Sequence, residues 1–538
     1  MKIKYIYILS LLFILGSCND FLEEENLSDT TAETFYLTPE GYNSLVNANY
    51  NALRGIYGGD AFMFCSGTDL YAEGRSPEPD GLAQYTQLGP SSNGVDLIYN
   101  SAYKAIQLAN TALYYSDLTE QTSELGRLRG EVKYLRANAY FLLVQTYGGV
   151  ALITEYLDSP VLEFSRNSAE EVYSFIISEL EESITLVPDE SFSGRVTKRA
   201  AQHLLAKVYL TRGYEDFGSS SDFSTAASLA DEAIAGQGLS IPFEQLWSPS
   251  NQVNEEVLFS VQYSAGSVST DPTVLGNKQA AFFGPYQGGS EVAGDAPFRT
   301  YNLCPTKFAI DLFDMDDERY RATFMVEVYD RYYDYYDVAD HSSLGVFHYY
   351  APEWASSQAE LDAYQAANPG ATIHPYPLYV PSEGFNLDYQ TIPTKKFDDP
   401  SAPFSDEQPS TRDIVLSRVG ETYLIAAEAY LQSGNAGTAA DRINEVRSRA
   451  GVDAVSMGDV DIDFILDERG RELFGEYHRW FDLKRTGTLV ERASANHYLI
   501  EESNFDGANG ELKILRPIPQ QALDLNRNKD FPQNPAYQ

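Results

Sequence analysis

Cysteine is nearly absent from this chain of 538 residues, occurring at three positions, and histidine occurs only six times. No Cys-x-x-Cys or His-Glu-x-x-His pattern is present, so a zinc site has no support. Two cysteines beyond residue 18 make no disulfide framework; Cys65 and Cys304 read as separate buried thiols, with a pairing between them left open. After residue 15, no apolar run approaches the roughly twenty residues needed to cross a bilayer. Basic residues are scarce too, with 38 Lys and Arg against 78 Asp and Glu, a net charge of −40. Such a field repels phosphate backbones and argues against a nucleic-acid partner. The length permits a large core and, as a prior, about two to four domains.

What is present begins with a positive start, Lys2 and Lys4, followed by the apolar stretch Ile6 to Leu15. At about half the length of a spanning helix, this reads as a signal peptide over residues 1–17. Small residues precede the cysteine in Leu15-Gly16-Ser17-Cys18, as in a bacterial lipobox, whose chemistry acylates the cysteine and the new amino terminus. Several acyl chains hold a protein firmly at a membrane where one holds it marginally. The alternative is an ordinary secretory signal with a chance cysteine. Cleavage before Cys18 removes two lysines and no acids, leaving 36 basic against 78 acidic residues, a charge of −42. Residues 18–30, with Asp20 and Glu23 to Glu25, form a lipidated acidic tether.

Two textures follow. Residues 95–236 and 411–480 carry Ala, Leu and Tyr at helical spacing, whereas 265–410 are rich in Gly, Pro, Asp and Tyr with little periodicity. Ser168 and Glu171 form a capping-box pattern, and Val172, Ile176, Leu180, Ile184 and Val187 then make one apolar stripe that Pro188 ends. A second helix is expected from Lys198 to Arg212, and a third carries Ala226, Ala227, Ala230 and Ala233 up to Gly236. Tyr99–Tyr115 and Glu124–Tyr147 make another pair. Arg418–Ser433, a Gly434-Asn435 turn and Ala436–Ala450 make the last, with Gly451 ending it. Alanine faces with a tyrosine per helix, in pairs of about 34 residues, are the tetratricopeptide pattern. The expected fold is mainly α, a tetratricopeptide-like scaffold of about four irregular helix pairs with a loop- and short-strand-rich insertion. A generic helical bundle is the alternative on these residues alone.

Several blocks resemble the SusD/RagB family of surface lipoproteins. They are Glu468 to Arg485, Pro517-Ile518-Pro519 with Gln533 to Tyr537, Leu135 to Tyr140 with Tyr147-Gly148-Gly149, and Gly194 to Ala201. After the lipobox, Asp20-Phe21-Leu22 and Thr34-Phe35-Tyr36 also fit, so the resemblance runs from Cys18 to Tyr537. Ala151 departs from the family's usual proline, and Gly470, Gly475 and Tyr477 depart from its usual Arg, Phe and Gly, which bears on local turn geometry. The resemblance implies a lid that captures oligosaccharide and delivers it to a SusC-like TonB-dependent transporter, at the outer face of the outer membrane. It implies no catalytic machinery and no cofactor. On this reading the chain divides into 31–264 with helix pairs, the variable insertion 265–410, and the closing region 411–538.

His478, Arg479, Trp480, Asp482 and Arg485 resemble an acid/base cluster, yet spacings of three to four residues on a helix favour ion pairs around a packed tryptophan. Asp311 to Tyr320 has many carboxylates but lacks the spacing and glycine of a calcium loop, and reads as a solvated helix end. With 78 carboxylates, a pair at glycosidase distance arises by chance, so pairing does not argue for hydrolysis. Trp354 lies outside the family blocks, among the insertion's tyrosines, including Tyr336, Tyr349, Tyr350 and Tyr376. Sugar rings present apolar faces and polar edges, so flat aromatic rings beside hydrogen-bonding groups are what a binder needs. The candidate ligand residues are therefore Trp354, Tyr336, Tyr349 and Tyr350. Tyr71, Arg75 and Tyr85 join them from an early loop that the family often uses. Tyrosines that fill small cores under long loops are the competing account.

Overall fold

The computed structural model describes residues 31–74, 80–264, 276–283, 297, 299, 302–382, 391–402 and 410–538. Eight long helices among the described residues carry the scaffold. They are α1 (Pro39–Tyr57), α2 (Leu97–Ser116), α3 (Leu125–Tyr147), α4 (Ala169–Leu186), α5 (Lys198–Gly213), α6 (Ser220–Ala233), α7 (Val419–Gln432) and α8 (Ala436–Arg449). Each packs on the next, and α7 packs on α6 although the whole insertion separates them in sequence. The result is four antiparallel helix pairs in a row, the mainly helical repeat scaffold that the alanine faces indicate.

Local chemistry sets the helix ends. Ser168 and Glu171 make the expected reciprocal capping box, and the stripe from Val172 through Ile176 to Leu180 is wholly buried. Each such side chain contributes roughly 1.5–3 kcal/mol by leaving water. Gly130 lets α3 and α4 close up, since a Cβ there would meet the Leu186 side chain at 2.7 Å. Gly236, Gly434 and Gly451 all take positive φ just past helix ends, as their positions in the sequence imply. Helix α1 is an addition to the sequence reading: Thr38 caps it by accepting the Gly41 N–H, and Pro39 opens its first turn.

The insertion leaves and rejoins the scaffold through one antiparallel pair, β2 (Val257–Val261) and β7 (Ile414–Arg418). Before β2, Trp247 packs in the core on Phe397, with the Lys396 ammonium 4.5 Å from its ring centroid. Within the insertion, β4 (Glu327–Tyr329) pairs antiparallel with β5 (Val346–Ala351), and β5 pairs parallel with β6 (Thr372–Pro375). A further pair, β1 (Tyr71–Glu73) with β3 (Leu303–Pro305), ties the early loop to the insertion. Cys65 and Cys304 are buried thiols. No described helix is long and apolar enough to cross a membrane.

Helices α9 (Ile462–Glu472) and α10 (Arg479–Arg485) hold the C-terminal block, joined by a turn in which Gly475 and Tyr477 both have positive φ. Gly475 is needed there, because a Cβ would meet Phe397 at 2.3 Å. Tyr477 tolerates the strained region while stacking on Phe64 at 4.9 Å. Trp480 is fully buried, and the charges around it are paired. Arg479 holds Asp69, Arg469 and Arg485 hold Asp482, and Arg485 also holds Glu428. Burial alone would raise Asp482, but the Arg469 and Arg485 guanidiniums outweigh it and hold the carboxyl well below its ordinary range. Glu468, Glu472 and Glu476 are held down against burial in the same way. Burial depresses His478 from 6.5 to about 3.

Both kinds of group bind more protons unfolded than folded in acid, so stability falls as pH drops. His478 contributes the loss from pH 6.5 toward about 3, and the carboxylates add theirs below the unfolded Glu value of 4.5 as pH approaches their folded values. Urea titrations between pH 7 and 3 should show midpoints dropping already near pH 6. His478→Gln should shrink that early drop without abolishing it, because burial also depresses His374 from 6.5 to about 4, and should leave the steeper one below pH 4.5.

Candidate functional site

Strand pairing joins two regions far apart in sequence. Tyr71 pairs with Pro305 and Glu73 with Leu303, so the early loop lies against the start of the insertion. The helix Lys307–Asp311 follows β3 directly and carries two charged groups to the insertion surface. Lys307 forms an ion pair with Asp311, and the Tyr376 hydroxyl donates to the same carboxylate. The Lys307 ammonium lies 5.3 Å from the Tyr376 ring centroid. Its hydrogen bond to Asp311 raises it above the ordinary lysine range, so it stays charged.

Trp354 stands on a single 3-10 turn, Glu353–Ala355, after Pro352 at the end of β5. Of the three tryptophans it alone is partly exposed, with its edge against Tyr320 at 5.0 Å. Tyr320 meets Tyr379 through their hydroxyls at 3.4 Å, and Tyr379 lies 6.2 Å from Tyr376. The Tyr376 N–H donates to Ser356 Oγ at 3.0 Å, two residues from Trp354. Leu378, 70% exposed, extends the surface. Trp354 and Tyr376 thus offer two partly exposed rings beside an ammonium and a carboxylate, the combination that stacks on a sugar face and bonds its hydroxyls.

The other candidates fall elsewhere. Tyr349 is buried face to face with Tyr364 at 3.6 Å. Tyr350 is buried, stacked on His374 at 4.6 Å. Both support the sheet beneath Trp354 and offer no open ring. Tyr336 is partly buried in a different cluster, donating to Asp398 at 2.9 Å beside Tyr335. Tyr71 is fully buried, its hydroxyl accepting the Gly475 N–H at 2.6 Å. Tyr85 is buried on Phe505, donating to the Gly67 carbonyl at 2.8 Å and accepting Trp480 Nε1–H at 3.2 Å. Reading Tyr71 and Tyr85 as ligand platforms is therefore corrected: both rings are enclosed because they clamp the C-terminal block. Arg75 and Cys18 lie outside the described residues.

Lys307 was not singled out by the sequence, and Tyr376 entered only as one insertion tyrosine among many. The Pro375-Tyr376-Pro377 frame was the available signal, since flanking prolines hold a residue out of regular structure. In the acidic segment, Asp317 caps the helix Glu318–Thr323 and pairs with Arg319. Among the described residues, no group of three or more His, Cys, Asp or Glu is arranged to hold a metal ion.

Comparison with known proteins gives this architecture a family. Residues 255–537, more than half of the chain, match the SusD family, and the chain belongs to it. Residues 78–210 match a family described as starch-binding and associating with the outer membrane. SusD-like protein P2 of Formosa agariphila is 25% identical over 563 aligned positions, covering 100% of both chains. Among solved structures, a laminarin-binding SusD-like protein superposes with a TM-score of 0.70 at 24% identity, covering 93% of this chain and 100% of its own. Surface glycan-binding protein A of Bacteroides thetaiotaomicron, in complex with laminarihexaose, gives 0.68 at 20% identity, covering 92% and 99%.

Tyr71→Phe and Tyr85→Phe each strand a buried hydrogen-bonding group and should lower stability by about 1–2 kcal/mol. Urea denaturation measures the loss. The affinity of either variant for oligosaccharide, measured by calorimetry, should match the parent protein.

Proposed function

We propose that this chain is a non-catalytic, glycan-binding lipoprotein of the outer membrane. It is anchored through Cys18, captures oligosaccharide on the Trp354–Tyr376 surface, and delivers it to a SusC-like TonB-dependent transporter. The observation that carries the reading is Trp354, the one partly exposed tryptophan of the three, linked through Tyr320, Tyr379 and Ser356 to Tyr376, which has Lys307 and Asp311 against it. The glycan class is supported by relatives whose names record laminarin and starch binding and by the family description of outer-membrane association. Arg75, a candidate from the sequence, is a further proposed contact. Attraction here rests on ring stacking and a few hydrogen bonds, so affinity should depend weakly on salt.

Calorimetry with a glycan panel that includes laminarihexaose tests the reading. Trp354→Ala should weaken binding by roughly tenfold or more, about 1.4 kcal/mol, in a protein that stays folded, with a lower urea midpoint from the lost packing on Tyr320. Absence of binding to any oligosaccharide at millimolar concentration would overturn the capture role. Steady release of new reducing ends by the purified protein would replace it with a hydrolase.

The anchor has its own test. Cys18→Ser should leave the folded domain intact by circular dichroism and abolish its retention at the cell surface, measured by protease accessibility on whole cells.

A further inference from the structure

The scaffold has a cleft of its own, about 830 Å³, along one face of α2. Its walls are built rather than incidental. The loop after α3 is closed at its base by Asn167 N–H donating to the Val150 carbonyl at 3.0 Å. The outgoing limb is fixed to the helices. Tyr103 donates to the Ala151 carbonyl at 2.9 Å, and the Asn110 amide donates to the carbonyls of Ile153 at 2.8 Å and Glu155 at 3.2 Å. Arg136 holds Asn110 Oδ1 from behind at 2.7 Å. The returning limb is held by the C-terminal segment, where Asn526 exchanges two hydrogen bonds with the Phe164 backbone and Arg527 N–H donates to the Leu162 carbonyl at 2.8 Å.

The lining has a recognisable chemistry. Tyr99 and Tyr103 sit side by side, with centroids 4.8 Å apart, at one end. Tyr114, 46% exposed and stacked on Tyr156 at 4.7 Å, lies one helical turn past Asn110, outside the cleft's own lining. Gln107 and Lys104 are exposed on the cleft floor, and Glu155 and Asp158 stand opposite. Exposed apolar side chains, Val161, Leu162 and Leu525, form the rim.

We propose that this cleft is a second carbohydrate-binding site, distinct from the Trp354 surface and taking an uncharged, extended oligosaccharide. The half-buried Tyr99–Tyr103 pair supplies ring surface for a sugar at one end, and the amide and charged groups along the floor and opposite wall bond hydroxyls. Glu155 and Asp158 outnumber Lys104, so an acidic sugar is disfavoured. A polysaccharide long enough to engage both this cleft and the Trp354 surface would bind more tightly than its short fragments, because the second contact becomes intramolecular.

The test is calorimetry of the full chain with laminarihexaose and neutral hexaoses of maltose and xylose type, in the parent protein and in Trp354→Ala. Leu162→Arg places a long cation in the cleft mouth from an exposed position, and Gln107→Ala removes a floor group, so neither threatens the fold. The expected result is two sites in the parent protein and one remaining in Trp354→Ala, which Leu162→Arg weakens at least tenfold. Binding lost in Trp354→Ala and unchanged by Leu162→Arg and Gln107→Ala would overturn the cleft while sparing the Trp354 reading. Binding that only the cleft variants weaken would support the cleft and overturn that reading. No binding of any hexaose to the parent protein overturns both.

Discussion

One buried carboxylate, Glu472, is where the architecture converges. Arg319 reaches it from the insertion at 3.2 Å, Arg418 from β7 at 2.6 Å, and Arg449 from the end of α8. Glu468 and Glu476 extend the network, the first to Arg319 and the second to Arg418 and Lys396. Taking these charges out of water costs several kcal/mol per ion, and only well-formed, multiply bonded pairing offsets that cost. Every partner must therefore arrive together: insertion, closing strand and last helix pair are correct at once or not at all. Hydrophobic contact would tolerate a shifted insertion. A buried carboxylate shared by three arginines does not.

The same interplay explains the tyrosines. The chain has 39 of them, and many of the buried ones point their hydroxyl at a distant backbone group. Tyr140 donates to Ile153, Tyr147 to Val95, Tyr423 to Gln237 and Tyr537 to Leu515. A tyrosine in such a place fills space like phenylalanine and also satisfies a loop carbonyl that water cannot reach. Loops are numerous here, so tyrosine is abundant for structural reasons, and its density in the insertion overstates the ligand surface.

This sets how far the amino-acid sequence could be read. Helices α2 to α8 were legible because their signals are local: a capping box at Ser168, alanine and tyrosine at helical spacing, glycines just past the ends. The lasting role of Trp480 and its neighbours was legible too, from helical charge spacing. Tyr71 and Tyr85 were not, because what encloses them comes from residues 474–516, some 400 positions away. The parallel pairing of β5 with β6, which seats Trp354, rests on strands of four to six residues without alternation and left no local trace. Trp354 stood out because it lies outside the family blocks among the insertion's tyrosines, Tyr376 included, whereas Lys307 and Asp311 as charged neighbours of Tyr376 left no such signal.

The pair β2–β7 has a consequence for how such a protein changes over generations. The long excursion between these strands departs and returns at adjacent positions of one two-stranded ladder, as a domain spliced into a host does. Its length and composition can drift while the helical row keeps its own spacing, provided that the excursion still presents cations where Arg319 and Lys396 stand. Diversification of the outer surface and conservation of the body beneath it are then separate problems, joined where Arg319 and Lys396 meet the buried glutamates.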